Sequence, residues 1–531
     1  MVSDVLLCPV SITDIPQEEL GIESISSYLN FKNVSTNIFY FTKNNKYLDI
    51  IKNKFKIIGF NLFYSNMHII QEIIDIVKKH NPEVKIIVGG HYVTHNSEFV
   101  LKNLTDIDYI IRDEGEYTFY ELSMYLLHGI NNINCIKGIS YYKEQSIIHN
   151  EKREPIKDLD LLPFADRSKF VSLKKHTPLF IESARGCTGT CSFCSAAKSR
   201  WRYKSISKFV DEMEYLIKNY GNDTFDLTDS SFDNPNYNIS HINEYITEIE
   251  ERKISPKLFI YLKSGIYKHV DDIFWKRFVQ AGLCSAFIGV ESFSDHDLRY
   301  LSKSANATDN INCIKGLKNK GFRLALGFIS FHPYVNMESL KINNEILYSE
   351  NYTSRFLQFN YLQIYPGTDI YIRAINDGLY IDNINDVSNF SFVDKRVQEL
   401  SDYIKLNILS NNNLYNRIKV IADYFTSFEK TLYVIKSRLK TYDNQDEKII
   451  DDFIDDFNQL SQGVSYLVYN FFKQLIFAFE NQENQRFSIE LIETYFNPST
   501  LERYLFKISS SKMQLMKKLS KYNIPLSEII R

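Results

Sequence analysis

The chain has 531 residues, of which 44% are hydrophobic and 24% are charged, so it can bury ordinary cores and is expected to form about two to four domains. Its 62 basic and 65 acidic side chains leave a net charge of −3, which gives no electrostatic footprint for nucleic acid or a membrane surface. Neither a signal peptide nor a membrane span is predicted, and seven cysteines, three of them in one loop, favour a reducing cytoplasm over a disulfide framework.

Residues 1–145 alternate apolar runs with segments of helical periodicity. The runs predicted as strands are Val5–Cys8, Asn37–Phe41, Ile57–Leu62, Val84–Val88 and Tyr109–Ile111. This alternation predicts an α/β fold with a doubly wound parallel sheet of the Rossmann or flavodoxin type. Such sheets bind ligands beyond the carboxyl ends of their strands. The turns expected there are Asn61–Asn66, Gly89–Thr94 and Arg112–Glu116.

Residues 146–175 are predicted to be a linker, and residues 176–385 to form the next domain. Six apolar runs separated by helical segments predict a partial (βα)₆ barrel, related to the eight-fold TIM barrel. The six are Leu179–Ser183, Phe225–Thr228, Leu258–Leu262, Ala286–Val290, Leu324–Phe331 and Phe356–Ile364. Active sites of such barrels lie at the carboxyl ends of the strands. Residues 386–531 show helical spacing only and predict an all-helical domain, which either closes the barrel mouth over a substrate or serves as a packing domain.

Three cysteines share the loop that follows the first barrel strand. The segment Arg185-Gly186-Cys187-Thr188-Gly189-Thr190-Cys191-Ser192-Phe193-Cys194 has C-x₃-C-x₂-C spacing. Three thiolates in one loop can hold three irons of a [4Fe–4S] cluster and leave the fourth iron open to a ligand. A zinc site or redox-active thiols are the simpler alternatives, but a zinc site needs a fourth ligand that this loop does not offer.

The loop resembles the signature of the radical S-adenosylmethionine (SAM) enzymes, including the aromatic residue Phe193 before the third cysteine. The resemblance implies that Cys187, Cys191 and Cys194 are the catalytic cluster ligands and that SAM chelates the open iron. It also implies that one electron cleaves SAM to methionine and a 5′-deoxyadenosyl radical. A flavodoxin or ferredoxin is the expected electron donor.

The ends of other barrel strands offer further contacts for SAM. Asp229 is placed to hold the ammonium group, and Lys263 to meet the carboxylate. By resemblance, Glu291 in a Gly-Val-Glu-Ser element accepts hydrogen bonds from the ribose hydroxyls, and the backbone at Tyr365 lies near the adenine. The alternative for each residue is a solvated loop position or a helix cap.

The first domain resembles the cobalamin-binding domain that precedes the radical SAM domain in one subgroup. The resemblance covers Leu20–Ile22, Ile58–Phe60, Val88–Gly90 and Glu114–Glu116. The cobalamin contacts that it implies are Tyr64, Ser65, Gly89, Gly90, Glu114 and Gly115. No D-x-H-x-x-G motif is present, so no histidine is offered as a lower axial ligand of cobalt. Some relatives keep this domain without binding cobalamin, so a scaffold role stays open.

Other reactive side chains fall outside these motifs. His332 ends a Gly-Phe-Ile-Ser-Phe-His-Pro segment that resembles a strand of cobalamin-type radical SAM proteins, and it either contacts substrate or is structural. The remaining cysteines are interpreted as buried small hydrophobes: Cys8, Cys135, Cys284 and Cys313.

The sequence therefore predicts a cobalamin-dependent radical SAM enzyme. The predicted reaction methylates an unactivated carbon of a peptide or natural-product intermediate and uses two molecules of SAM. One alternative is a cobalamin-free radical SAM epimerase, cyclase or rearrangement enzyme. An epimerase would need a hydrogen donor, for which Cys284 or Cys313 would be the suspected thiol. Another alternative is a non-enzymatic iron–sulfur or cobalamin sensor, against which the strand-end SAM contacts argue.

Overall fold

The computed structural model describes most of the chain and divides it into two compact units. The described residues are 4–42, 55–174, 177–196, 199–283, 285–381, 389–438, 444–481, 491–492 and 494–519. The first unit comprises residues 1–187, 199–232 and 240–259, and the second comprises residues 188–198, 233–239 and 260–531. Both the barrel segment and the cysteine loop are shared between the two units.

The first unit contains a seven-stranded sheet in the order β2-β1-β3-β4-β5-β6-β7. Its strands are β1 (Val5–Cys8), β2 (Thr36–Ile38), β3 (Ile57–Asn61), β4 (Lys85–Gly89), β5 (Tyr109–Ile111), β6 (Ile139–Lys143) and β7 (Ser146–His149). The first five strands pair in parallel, and β6 and β7 add an antiparallel edge. The parallel strands form because their apolar runs are covered on both faces, as in other doubly wound sheets.

Three helices of this unit follow the predicted periodicity: α1 (Leu20–Phe31), α2 (Met67–His80) and α5 (Gly115–His128). Three shorter helices were not predicted: α3 (His91–His95), where a turn was expected, α4 (Ser97–Asn103), and α6 (Ser168–Leu173), which lies in the range predicted as a linker. In α2, for example, Ile70, Ile73, Ile74 and Val77 are buried against the strands, whereas the last turn is basic. A basic last turn complements the negative end of the helix dipole.

A second sheet contains the barrel strands in the order β14-β13-β12-β11-β8. They are β8 (Leu179–Ile181), β11 (Thr224–Leu227), β12 (Lys257–Leu262), β13 (Ser285–Glu291) and β14 (Arg323–Phe328), and the boundary between the units runs through β12. A short antiparallel ribbon pairs β9 (Ala184–Arg185) with β10 (Arg202–Tyr203) around the cysteine loop. The α/β fold class predicted from the sequence is confirmed.

The expected sixth barrel strand, 356–364, is not formed. Phe356 adopts a left-handed backbone with φ +56°, and Leu357–Phe359 form a 3₁₀ turn. Only an isolated parallel bridge between Phe331 and Tyr361 remains. The apolar residues of this segment are nevertheless buried, so its sequence pattern reports burial rather than an extended strand.

Helices complete the barrel region and the C-terminal part. The first group is α7 (Ile206–Tyr220), α8 (Ile239–Arg252), α9 (Asp272–Gln280), α10 (Asp295–Tyr300), α11 (Ala307–Asn319), α12 (Met337–Ser349) and α13 (Asp369–Asn376). The second group is α14 (Lys395–Ile404), α15 (Asn412–Arg438), α16 (Asn444–Glu480) and α17 (Pro498–Leu519). Within the second unit, the C-terminal helices share one apolar core with α12 and α13. Among the described helices, none is long and apolar enough to cross a membrane.

Candidate active site

A cavity of about 630 Å³, called here the large cavity, lies within the first unit at the carboxyl ends of β3, β4 and β5. Four of the predicted cobalamin contacts line it: Gly89, Gly90, Glu114 and Gly115. Glu182 and Arg185 after β8, together with Thr228 after β11, also line it. The sheet edge where ligands bind in this fold class is therefore open and is faced by residues from both sequence regions.

Two glycines keep the floor of the large cavity without side chains. At Gly90 the backbone has φ +110°, and an added Cβ would lie 2.1 Å from Asn61 Oδ1. At Gly115 an added Cβ would lie 2.6 Å from Ile25 Cδ1. Any larger residue would push these neighbours into the space where a ligand would lie, so both positions fit the close approach of a large, flat cofactor.

Tyr64 and Ser65, the other two predicted cobalamin contacts, are not among the residues that line the large cavity. They belong to a 3₁₀ turn, Tyr64–Asn66, whose Asn66 side chain accepts a hydrogen bond from the Phe63 backbone N–H at 2.8 Å. The Tyr64 ring lies 6.0 Å from that of Tyr92. From this loop, Asn61 and Phe63 are the residues that line the large cavity.

Arg185 forms the main charge contact of the large cavity. Its Nη2 donates to Glu116 Oε1 at 2.7 Å, and its Nε donates to Glu182 Oε2 at 2.8 Å. Burial raises the pKa of the Glu116 carboxyl, but the Arg185 guanidinium outweighs burial and holds that pKa below its usual value. Ser24 Oγ donates to the same carboxylate at 2.8 Å. Glu116 is therefore ionised and links α5 to the strand that leads into the cysteine loop.

A second arginine repeats this link on the neighbouring strand of the ribbon. Arg202, which pairs with Arg185 across β9 and β10, donates from Nη1 to Glu114 Oε1 at 2.6 Å. Between the two strands, an added Cβ at Gly186 would lie 2.2 Å from the Arg200 carbonyl oxygen, and Gly186 has φ +87°. The sequence Arg-Gly-Cys thus needs glycine because the chain turns tightly against its own return strand.

Asp229 holds the chain just before the ribbon. It is buried, and its Oδ1 accepts hydrogen bonds from the backbone N–H groups of Ser183 at 2.8 Å and Ala184 at 3.0 Å. Its other oxygen accepts from the Ser183 hydroxyl. Burial raises the pKa of Asp229 to about 7, although these hydrogen bonds lower it. The structure thus gives Asp229 contacts that orient the entry to the cysteine loop.

The cysteine loop itself is divided between the units, and its three thiol-bearing residues are half-buried. In the first unit, the Cys187 N–H donates to Ser199 Oγ at 2.8 Å. In the second unit, the Cys194 N–H donates to the Cys191 carbonyl at 3.2 Å, and Phe193 packs against the helical core. Within the described ranges, no group of three or more His, Cys, Asp or Glu side chains has metal-binding geometry. The cluster assignment therefore rests on the donor chemistry of three accessible thiols in one short loop.

The segment after α10 anchors the second-unit part of this loop. The Ser192 N–H donates to the Leu301 carbonyl at 3.0 Å, and Ser192 Oγ donates to the Tyr300 carbonyl at 2.9 Å. Thr190 Oγ1 donates to the Ser302 carbonyl at 3.5 Å. The next residue, Lys303, is therefore held beside the cysteines.

Lys303 is a site residue that the sequence did not reveal. Its Nζ lies 3.4 Å from Oε1 of Glu291, which is 8% exposed and has a left-handed backbone with φ +65° at the end of β13. Burial lowers the pKa of Lys303, but the Glu291 carboxylate and, to a smaller extent, the neighbouring Cys191 raise it by more, so the pKa of Lys303 lies above its usual value. A lysine twelve residues after Glu291 was the available signal.

The other predicted SAM contacts lie in the second unit. Lys263 Nζ donates to Asn234 Oδ1 at 2.6 Å, and the same amide oxygen accepts from Thr188 Oγ1 of the cysteine loop at 3.2 Å. Tyr365 is 37% exposed, and its hydroxyl donates to Gln363. Lys263 is thus connected to the cysteine loop through one amide.

The remaining candidates are mostly structural. His332 is fully buried, with Nε2 3.4 Å from Asp297 Oδ1, so the structural interpretation fits better than substrate contact. Cys8 and Cys313 are buried as expected, and burial raises the pKa of Cys313 to about 12. The expectation that Cys135 is buried is wrong, because it lies exposed in a 3₁₀ turn, Ile133–Cys135. Cys284 lies outside the described residues.

Known proteins match this arrangement over both regions. The B12 binding domain matches residues 16–123, and the Radical SAM superfamily matches residues 181–343. An uncharacterized methyltransferase of Pyrococcus horikoshii is 26% identical over 333 residues, which cover 61% of this chain and 70% of that protein. The anaerobic magnesium-protoporphyrin IX monomethyl ester cyclase of Synechocystis is 25% identical over 277 residues, or 50% of this chain and 54% of the cyclase. The chain thus spans only about half of the length of that second relative.

A solved structure extends the match to nearly the whole chain. The cobalamin-dependent SAM radical enzyme OxsB, with aqua-cobalamin and SAM bound, superposes with a TM-score of 0.65 at 20% identity, covering 98% of this chain and 80% of OxsB. This likeness is one of fold.

The chain therefore contains a domain of the Radical SAM superfamily at residues 181–343, in agreement with the predicted enzyme class. A B12 binding domain precedes it at residues 16–123, which is the domain order predicted from the sequence. The predicted cofactor classes, cobalamin, a [4Fe–4S] cluster and SAM, are confirmed at the level of these two domains.

Proposed function

We propose that this enzyme is a cobalamin-dependent methyltransferase that transfers a methyl group to an unactivated carbon of a peptide or natural-product intermediate. The observation that carries the proposal is the composition of the large cavity. Glycines of the B12-binding region form one part of its lining, and Glu182, Arg185 and Thr228 of the barrel strands form another. A cofactor held there is contacted by the same chain segment that continues into Cys187.

Each cofactor would be held by a separate set of residues. Gly89, Gly90 and Gly115 leave room for the cobalamin ring, and Glu114 and Glu116 fix the ribbon beside it. The thiolates of Cys187, Cys191 and Cys194 would ligate the cluster. Glu291 would accept hydrogen bonds from SAM hydroxyls, and Tyr365 would lie near its adenine. Asp229 and Lys263 would support the cysteine loop rather than touch SAM. Asp229 is bonded to Ser183 and Ala184 before the loop, and Lys263 to Asn234, which also accepts a hydrogen bond from Thr188 of the loop.

When bound, the cofactors would supply two things: a carbon radical from the cleavage of one SAM, and a methyl group that comes from a second SAM. The chain's own residues would bind and orient these cofactors and shield them from water. Arg185 keeps Glu116 ionised, and the buried Ser192 fixes the loop to the α10 segment. The cluster needs a one-electron donor, for which a flavodoxin or ferredoxin of the reducing cytosol is the proposed partner.

The second candidate is radical chemistry without methyl transfer, such as cyclisation. It is favoured by the cyclase of Synechocystis among the relatives. An epimerase version would need a hydrogen-donating thiol. Cys313 fits that role poorly because it is fully buried and burial raises the pKa of its thiol to about 12.

Labelled SAM separates the candidates. Reconstituted enzyme that holds cobalamin and cluster would be incubated with SAM carrying a deuterated methyl group, a one-electron reductant and an extract of small molecules and peptides. Methyl transfer predicts S-adenosylhomocysteine together with 5′-deoxyadenosine, and a product that carries the label. Formation of 5′-deoxyadenosine without S-adenosylhomocysteine or labelled product would overturn methylation and support the second candidate.

A further inference from the structure

One buried cation of the second unit is held against the cysteine loop and has no part in the proposed set of SAM contacts. Lys303 follows directly on the Leu301 and Ser302 carbonyls that accept hydrogen bonds from Ser192 and Thr190. These bonds bracket Cys191 on both sides. The position of Lys303 relative to Cys191 is thus fixed by backbone geometry and not by a flexible surface loop.

Because Lys303 is buried, its positive charge is only weakly screened by solvent. Its side chain is only about 10% exposed, and it forms an ion pair at 3.4 Å with Glu291, which is itself largely buried. In such surroundings a unit charge acts over several ångströms with much less screening than at the surface. Cys191 is one of the groups with which Lys303 interacts electrostatically.

Glu291 opposes this charge. The Glu291 carboxylate and the Lys303 ammonium form an ion pair at 3.4 Å, and Cys191 is a second group that interacts electrostatically with Lys303. Added Cβ atoms at Gly289 and Gly327 would lie 2.9 and 3.3 Å from the carboxylate oxygens, so the two glycines leave space for the Glu291 head group. The Glu291 head group therefore lies over the ends of two neighbouring strands, β13 and β14.

We propose that Lys303 is a positioning residue that sets the reduction potential of the cluster through its charge, with Glu291 as the counter-charge that limits the effect. This inference rests on the proposed function, since it assumes a cluster on the cysteine loop. Reduction adds one negative charge to the cluster. A nearby cation stabilises the reduced state and raises its reduction potential, as hydrogen bonds, net charge and solvent exposure do for other clusters.

The test is redox titration of the cluster in reconstituted full-length protein, followed by electron paramagnetic resonance in the absence of SAM. Lys303→Gln is expected to lower the potential so that about tenfold less cluster is reduced at a fixed potential, which corresponds to about 59 mV for a one-electron couple. Lys303→Arg should keep the potential of the parent protein. Glu291→Gln should raise it, because the carboxylate no longer offsets the lysine. The matched control is Lys315→Gln, which removes an exposed lysine paired with Glu350 and should change nothing.

The outcomes separate this inference from the function on which it rests. Iron and sulfide content is measured first, and a parent protein without a cluster would remove the proposed function itself. A cluster of full content whose potential is the same in Lys303→Gln, Glu291→Gln and parent protein would overturn the inference alone. If the Lys303→Gln variant fails to assemble a cluster, the Glu291→Gln variant provides the test. A cluster potential in Glu291→Gln that is unchanged from or lower than that of the parent protein would overturn the proposal.

Discussion

Arg185 and Glu116 lie 69 positions apart in the chain and form a buried ion pair in which Arg185 Nη2 donates to Glu116 Oε1 at 2.7 Å. The arginine stands two residues before Cys187, and the glutamate stands in the first turn of α5, beside the glycine floor of the large cavity. The pair therefore ties the entry of the cysteine loop to the B12-binding region of the same unit.

This ion pair predicts an unequal effect of its two partners on stability. Arg185→Met leaves the Glu116 carboxylate buried without its counter-charge, and it should cost about 3–5 kcal/mol because one charge of a buried pair is removed. Glu116→Gln should cost less, since Arg185 keeps Glu182. Urea denaturation measures both variants.

The control for the ion pair is Arg252→Met. Arg252 binds Asp211, Glu214 and Glu248, but these partners are substantially exposed, so the loss should stay near about 1 kcal/mol. A loss in Arg185→Met no larger than that in Arg252→Met would show that the buried pair does not hold the ribbon.

The glycine floor predicts a loss of cobalamin affinity without a comparable loss of fold. Gly90→Ala should weaken cobalamin binding at least about tenfold, because the new Cβ would force the Asn61 side chain to move toward the cavity. Gly129→Ala is the matched control, since Gly129 also has a left-handed backbone, φ +65°, but nothing within 4 Å of an added Cβ. Equilibrium dialysis with hydroxocobalamin gives both affinities. Equal affinities in the two variants would argue against this floor as the cobalamin surface.

Glu19 predicts a pH dependence of stability. Burial raises its pKa from 4.5 to about 8, although a hydrogen bond from Asn61 and one from the Val10 backbone lower it. Other groups that interact with it are Glu23, the Tyr40 hydroxyl and the Cys8 thiol. The folded protein holds the Glu19 proton more tightly than the unfolded chain. The contribution of this proton to the free energy of unfolding is present in full below about pH 4.5 and is lost as the pH rises through about 8.

Glu19→Gln cannot lose that proton, so it isolates this effect. Between about pH 5 and 8 the free energy of unfolding of the parent protein should fall relative to the variant, by up to about 1.4 kcal/mol per pH unit. Urea denaturation at several pH values gives the two curves. Parallel curves would mean that Glu19 is ionised in the folded protein at neutral pH.

The cysteine loop predicts which thiols hold the cluster. Cys187→Ala, Cys191→Ala and Cys194→Ala should each reduce the iron and sulfide content of anaerobically reconstituted protein and remove its iron–sulfur absorbance. Cys135→Ser, which changes an exposed thiol outside the loop, should keep both. Full cluster content in any of the three loop variants would remove that cysteine from the ligand set.

The sequence pattern predicted correctly those strands and helices whose apolar residues all lie on a buried face of the element. The strands at residues 57–61 and 109–111 and the helix at residues 67–80 lie where periodicity placed them, because each buries its apolar face on one side or between layers. The segment 356–364 has the same apolar character but turns at Phe356, and nothing in its sequence distinguishes burial in a turn from burial in a strand. Likewise, β7 forms inside the range predicted as a linker because it pairs with β6, a contact between neighbouring segments without a strong apolar signal.

Long-range charge contacts were beyond the reach of the sequence. Arg185, Glu114 and Glu116 stand in motifs that the sequence shows, but only the folded structure shows that Arg185 pairs with Glu116 and that Arg202 pairs with Glu114. Lys303 was missed for the same reason, since its role follows from the bonds that place the preceding carbonyls on the cysteine loop. The structure also showed that Asp229 and Lys263 bond to loop-holding groups, which the strand-end rule alone did not indicate.

The most direct test of the account is the cobalamin content of the protein produced with hydroxocobalamin available, measured by absorbance after extraction and compared with the iron content of the same sample. The account predicts about one cobalamin and about four irons per chain. A protein with a full complement of iron that cleaves SAM but retains no cobalamin would contradict it. The first domain would then be a scaffold, and radical chemistry without methyl transfer would be the function to pursue.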